Sequence, residues 1–238
     1  HSDIGGEGST GTVFNITNSG DSTAGFTYER LNLGRYAAGR INIDGDIDFE
    51  ITNDSTAKIG ENYTCMLSIS NGAQLTAGRD ILVDNGSTLH MDDATAKVYS
   101  GDPEYPRNLL LGASGNGGII SFILREARST PFIDIENDLI LSDPDPEMEL
   151  TVDDSATFSE GEFIAMITYS NSISASSNLF AGLSEGTVTN LGSDYTFEFA
   201  YTGGANNDTI GLTVIPEPGT MLLLGISSLA LGAWLRKK

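Results

Sequence analysis

Cysteine is nearly absent from this chain of 238 residues: Cys65 stands alone. No internal disulfide can form, and a small buried thiol is its expected state. Histidine is almost as scarce, with only His1 and His90, so the thiol has little prospect of a histidine base. Cations are few as well, 12 Lys and Arg against 33 Asp and Glu. Setting aside the three cations at the C-terminus leaves 9 − 33 = −24. Such a surface repels phosphate backbones, so nucleic acid is excluded as an expected partner, while divalent cations and basic or neutral partners are favoured. Also missing before residue 221 is any convincing amphipathic helix.

What remains is a strand-former's sequence. Hydrophobic residues make up 39% and glycine contributes 28 positions, enough for a continuous core in one β domain and unlike a disordered chain. The clearest pattern runs from Ile41 to Ile51. Odd positions are apolar or glycine, so Ile41, Ile43, Ile47, Phe49 and Ile51 are expected to face inward, with a bend at Gly45. Further strands are expected at 67–69, 81–83, 89–91, 119–124, 132–135, 139–141 and 148–152. Asn71-Gly72 and Asn85-Gly86 sit 14 residues apart within similar phrases and favour positive φ. Short strands with such corners fit a parallel β-solenoid, in which each rung buries an inner face it cannot bury alone. An antiparallel β-sandwich with the Asn-Gly pairs as hairpin turns is the alternative.

Toward the end, 163–169, 180–186, 195–201 and 210–214 are rich in aromatic and branched residues. Tyr195, Phe197, Phe199 and Tyr201 share one face at period two, and Ile210, Leu212 and Val214 offer a matching strand. This passage resembles the closing segment of autotransporter-type, pectin-lyase-like β-helices. The resemblance implies a right-handed parallel β-helix closed by an antiparallel cap, and capping would keep the terminal edges from templating strand addition.

The last residues read differently. Pro216-Glu217-Pro218 leads into an apolar run from Met221 to Leu235, with Trp234 near its end and Arg236, Lys237 and Lys238 closing the chain. The prolines hold Glu217 in an extended segment that a protease could grip. As a helix the run would reach ~22 Å against ~30 Å of hydrocarbon, a marginal anchor. Trp234 suits the interface, and the cations suit a cytoplasmic end. The order and spacing resemble the PEP-CTERM sorting signal of Gram-negative bacteria that make extracellular polysaccharide. That resemblance implies an exosortase-like processing enzyme and the inner membrane as partners of the tail, with the domain exported to the cell surface. Three parts are therefore expected: a secreted β-solenoid at 1–214, a Pro-Glu-Pro linker at 215–220 and a hydrophobic helix with a basic end at 221–238. A chain that begins at His1 without a signal peptide is expected to have lost a leader. Self-association through the tail is a further expectation.

Candidate chemistry is thin. Asp44, Asp46, Asp48 and Glu50 are acidic at alternate positions, ~6.6 Å apart along a strand, and are the candidate calcium ligands, although no EF-hand spacing supports them. No other cofactor is expected. Asp92-Asp93, Asp153-Asp154 and Asn206-Asn207-Asp208 read as turn residues first. Arg79-Asp80 or Lys97 would have to serve as lyase groups, and nothing in their context is distinctive. His90 with Ser87 and Asp92 forms a triad only on paper, because a strand puts neighbours on opposite faces. The loops at 99–108 and 141–147 contain proline and read as surface excursions. The chain is thus expected to be a non-enzymatic extracellular structural or matrix protein in contact with exopolysaccharide or biofilm. A self-assembling filament or layer subunit is the first alternative. A polysaccharide-binding or polysaccharide-degrading module is the second, with eight Tyr and one Trp available for stacking on sugars.

Overall fold

The computed structural model describes residues 2–4, 12–20, 22–52, 56–99, 107–113, 116–142, 146–175, 180–191, 195–203 and 208–216. The chain passes through three sheets, A, B and C, in the same order on each circuit. It starts with β1 (Ser2–Ile4), β2 (Thr12–Thr17) and β3 (Ala24–Tyr28), then β4 (Leu31–Leu33), β5 (Gly39–Asp44) and β6 (Ile47–Ile51). Next come β7 (Ala57–Ile59), β8 (Met66–Ser70) and β9 (Gln74–Ala77), and then β10 (Ile81–Val83), β11 (Thr88–Asp92) and β12 (Thr95–Val98). β13 (Leu109–Leu111), β14 (Ile119–Glu126) and β15 (Ile133–Ile135) precede β16 (Leu139–Leu141), β17 (Glu147–Thr157), β18 (Phe163–Tyr169) and β19 (Ile173–Ala175). Each strand from β1 to β19 pairs in parallel with its counterpart one circuit away. This is the expected β-solenoid.

Stacking in register explains why so many short strands hold together. Leu31, Ala57, Ile81, Leu109 and Leu139 form one inward column on sheet A. Ile43, Ile69, Met91 and Phe122 form another on sheet B, and each is fully or almost fully buried. Burying a branched or aromatic side chain is worth about 1.5–3 kcal/mol. No three-residue strand could gain that alone, and the column supplies the partners.

The segment from Ile41 to Ile51 is two strands rather than one. Gly45, at φ 94°, turns the chain from sheet B to sheet C, and its N–H donates to Ser70 O one rung on. Because the corner preserves the in-out alternation, Ile41, Ile43, Ile47, Phe49 and Ile51 are all buried as expected. Polar side chains tie other corners together. Asp80 Oδ1 accepts from Asn108 N, Asn108 Oδ1 accepts from Asn137 Nδ2, and Asp138 Oδ1 accepts from Ser172 N, at 2.8, 2.9 and 3.0 Å.

Parallel pairing overturns the sandwich alternative, and with it the hairpin reading of the Asn-Gly pairs. Asn71-Gly72 turns sheet B into sheet C, whereas Asn85-Gly86 turns sheet A into sheet B, all four residues at positive φ. Their spacing of 14 is therefore the distance between two different corners. The true repeat, read from the sheet A strands starting at 31, 57, 81, 109, 139 and 173, is 26, 24, 28, 30 and 34 residues. Such uneven lengths hide it from direct comparison of phrases.

At the C-terminal end the direction reverses. β20 (Val188–Asn190), β21 (Thr196–Gly203) and β22 (Thr209–Ile215) extend sheet C, and β22 runs antiparallel to β18 and to β21. Phe197, Phe199 and Tyr201 are buried, and Phe158 meets Tyr195 and Phe197 edge-on at 5.0 and 5.6 Å. The expected antiparallel closure thus consists of strands added beside β18 and an aromatic cluster beneath them. Among the described residues of the opposite end, Val13 on β2 is 55% exposed, and Phe14 is 45% exposed over a mainly apolar cavity of about 160 Å³ lined by Ile16, Tyr28, Arg30, Leu31, Ile41 and Phe49.

No helix long and apolar enough to cross a membrane occurs among the described residues. The helix expected at 221–238, with Trp234, Arg236, Lys237 and Lys238, lies outside them, as do Glu217, Pro218, Asn206 and Asn207.

Candidate functional site

The corner at Gly45 takes apart the expected calcium cluster. Asp44 ends β5 on sheet B, Asp46 sits in the turn, and Asp48 and Glu50 point outward from β6 on sheet C. Asp44 Oδ1 accepts from Ser70 Oγ at 2.8 Å and Asn71 Nδ2 at 2.6 Å, while Asp46 Oδ2 accepts from Thr23 Oγ1 at 2.7 Å. Two of the four carboxylates therefore brace neighbouring rungs, and the four do not converge. Among the described residues no group of three or more His, Cys, Asp or Glu side chains is placed to hold a metal ion.

The paper triad is dispersed too. Ser87 is wholly buried at a corner, where its Oγ accepts from Cys65 N at 2.8 Å. Asp92 pairs with Arg125, whose Nε and Nη2 donate to its two oxygens at 2.8 and 3.0 Å, and Arg125 also reaches Asp153 at 2.8 Å. His90 lies in a polar column on sheet B between Ser68 and Ser121, with Nδ1 at 3.1 Å from Ser121 Oγ. Cys65 is 5% exposed and its Sγ accepts from Gly39 N at 3.2 Å, the buried thiol that was expected, with burial pushing its pKa up. Lys97 is an exposed residue of β12 in register with Asp134. Asp80 turns to the backbone of Asn108 and, partly buried, has its pKa raised by desolvation.

Burial lowers the pKa of His90 below its ordinary value near 6.5. The unfolded chain then takes up the proton first, so this contribution to stability is present above that value and is lost as pH falls through it. We expect the loss of melting temperature between pH 7 and pH 5 to be smaller in His90→Gln than in the parent. Superimposable pH profiles would show that the ring adds nothing.

Sequence reading missed a cleft. Arg30, Asn32, Arg35, Thr56, Lys58, Glu61 and Arg79 line a depression of about 270 Å³ at the outer side of sheet A. Its walls come from positions flanking β4, β7 and β10, which are consecutive rungs; Asn32 and Lys58 are direct partners in register. Lys58 Nζ donates to Glu61 Oε1 at 3.0 Å, and Arg35 Nε stands 3.9 Å from Glu61 Oε2. Four cations and one carboxylate give a local balance of +3 among the described residues. The residues are scattered over 50 positions of sequence, and only the uneven rung period aligns them.

The fold and the chain end together define an acidic β-solenoid that runs directly into a proline-flanked terminal signal. That terminal segment, residues 214–237, matches the family model described as the PEP-CTERM protein-sorting motif. The motif implies exosortase processing, export and sorting to the cell envelope. β22 ends at Ile215 and Pro216 follows at once, so the matched segment overlaps the last ladder by two residues, Val214 and Ile215. No curated protein and no solved structure matches the chain. The expected kinship with pectin-lyase-like β-helices is therefore not borne out by any match, and the matched motif covers about a tenth of the chain.

Proposed function

We infer that this is a non-enzymatic structural protein of the outer envelope or extracellular matrix, exported as a rigid acidic rod, freed from or fixed at the membrane by an exosortase, and placed among exopolysaccharide. The observation that carries this reading is the sorting motif joined to the end of the last strand of the ladder. A stack of parallel strands with a dry core is stiff and keeps its shape outside the cell without disulfides, and its charge keeps it hydrated. Replacing Pro216, Glu217 and Pro218 together by alanine should leave the protein in the inner-membrane fraction, whereas the parent reaches the surface or the medium. Fractionation with quantitative mass spectrometry decides it, and an unchanged distribution removes the sorting role.

A second reading, a self-assembling surface filament, is favoured by the exposed Val13 and Phe14 and the open cavity at the N-terminal end. Exposed strand edges and apolar ends are templates for association. Electron microscopy of the secreted protein separates the two readings: elongated polymers belong to the filament, dispersed particles to the matrix protein.

A further inference from the structure

The inward columns of the rod are buried along their length and open at the N-terminal end. Phe14 heads Ile41, Leu67, Leu89 and Ile120 on sheet B, and Phe26 heads Phe49, Leu75 and Ala96 on sheet C. The followers are 0–3% exposed, whereas Phe14 and Phe26 are 45% and 36% exposed. Beside them opens the mainly apolar cavity, with Arg30 the one charged residue of its lining. The link from β1 to β2 reads Gly5-Gly6-Glu7-Gly8-Ser9-Thr10-Gly11 and has no apolar side chain with which to close it. Charge singles out the same end. In a chain with 33 acids, β2 and β3 hold no charged residue and β1 holds only Asp3. Exposed sheet edges are ordinarily blunted by lysine, proline or a bulge, and β2 from Val13 to Thr17 has none of these. Among the described residues its one ladder partner is β5. The far end differs. There the outer strand of sheet B, β17, carries Glu147, Glu149, Asp153 and Asp154, and sheet C runs on for three strands past β18. Its sheet edges are not level, so it is not shaped to receive the N-terminal end of a second rod.

We propose that the N-terminal ends of two copies pair across a two-fold axis through β2, giving a closed dimer of rods. The flip sets β2 antiparallel to the partner's β2 and places β1 of each copy against β3 of the other. Strands of a coil climb along its axis in the order β1, β2, β3, so the flip matches the lowest strand with the highest. All three gaps therefore close together at one strand spacing, ~4.8 Å. Phe14 and Ile16, the inward residues of β2, then extend each other's columns across the axis and cover the cavities of both copies. The acidic flanks of the two rods point away from each other, which keeps repulsion between chains of net charge −21 low. Such a contact is self-complementary and stops at two copies. It uses the same exposed end as the filament reading but closes where a filament would grow. The inference goes beyond the envelope reading and does not depend on it: failed sorting would leave the dimer untouched, and a failed dimer would leave sorting untouched.

Sedimentation velocity of the full-length chain in a mild non-ionic detergent, joined to disulfide trapping, tests it. The parent should equilibrate between monomer and dimer and form nothing larger. Val13→Lys puts a charge on the edge at a side chain already 55% exposed, and it should weaken the dimer at least about tenfold. Phe14→Asp should weaken it further, and a melting curve for each variant confirms folding. Val13→Cys, Asn15→Cys and Thr17→Cys alter the outward positions of β2, and the one nearest the axis should trap a linked dimer. Thr151→Cys, exposed on β17, should not, and Cys65 at 5% exposure is a silent background. The proposal is overturned if the parent is monomeric at every concentration, or if Val13→Lys and Phe14→Asp associate like the parent, as tail-driven association would. It is equally overturned if the β2 variants couple to Thr151→Cys in a mixture and not to themselves, the mark of a head-to-tail stack.

Discussion

Phe122→Ala should lose about 3–5 kcal/mol of unfolding free energy, the range for a buried phenylalanine that leaves a cavity. Phe122 is fully buried on β14, one strand in from the β17 edge of sheet B, and packs on Phe132 with ring centroids 5.1 Å apart. It also belongs to the column in which Met91 lies on one side and Leu150 on the other. Parallel rungs cannot close over the space, since each is held in register by ladders above and below, so the cavity persists. Equilibrium denaturation in urea measures the loss. A change below ~1 kcal/mol would mean that the rungs collapse freely, contrary to a close-packed interior. Phe122→Leu, which keeps most of the volume, should recover the larger part.

The second large effect is expected at a corner. Gly60 follows β7 at φ 93°, and a Cβ there would be driven into Ser87 Oγ and the carbonyl oxygen of Asp84. Gly60→Ala combines left-handed strain of ~1–2 kcal/mol with overpacking of ~1–3 kcal/mol, so a total loss of about 2–5 kcal/mol is expected. Ser87 cannot step aside cheaply, because its Oγ holds the Cys65 amide. Gly72 is the internal control. It has φ 86° and open space around its missing Cβ, so Gly72→Ala should show the strain alone. Equal losses at the two sites would place the whole cost in the backbone and none in the contact.

The alternation from Ile41 to Ile51 was readable because a corner of glycine and aspartate changes the sheet without changing which side chains face inward. Every other strand expected from apolar runs is present for the same reason: inward positions are filled by apolar side chains whichever sheet they join. The choice between solenoid and sandwich was not fixed by these runs, since a strand of three to five residues carries no mark of its partner's direction. The Asn-Gly phrases misled on the repeat for a related reason. Left-handed turn residues occur at sheet A-to-B and at sheet B-to-C corners alike, so two similar turns need not be equivalent ones. The sites fared worse. The acidic run resembles a cluster only if it forms one strand, which the corner at Gly45 prevents, and the basic cleft is invisible in sequence because its residues become neighbours only through rung stacking. The sorting signal, by contrast, was legible at once, for its information lies in contiguous sequence and not in contacts.

The junction at Ile215 and Pro216 has one last consequence. Val214 N donates to Glu162 O, Gly161 N donates to Val214 O, and Ile215 faces Thr196 as the final registered pair. Each of these bonds lies on the domain side of the proline. A cut anywhere downstream therefore severs no described rung, and the processed rod keeps the shape it had before it was trimmed.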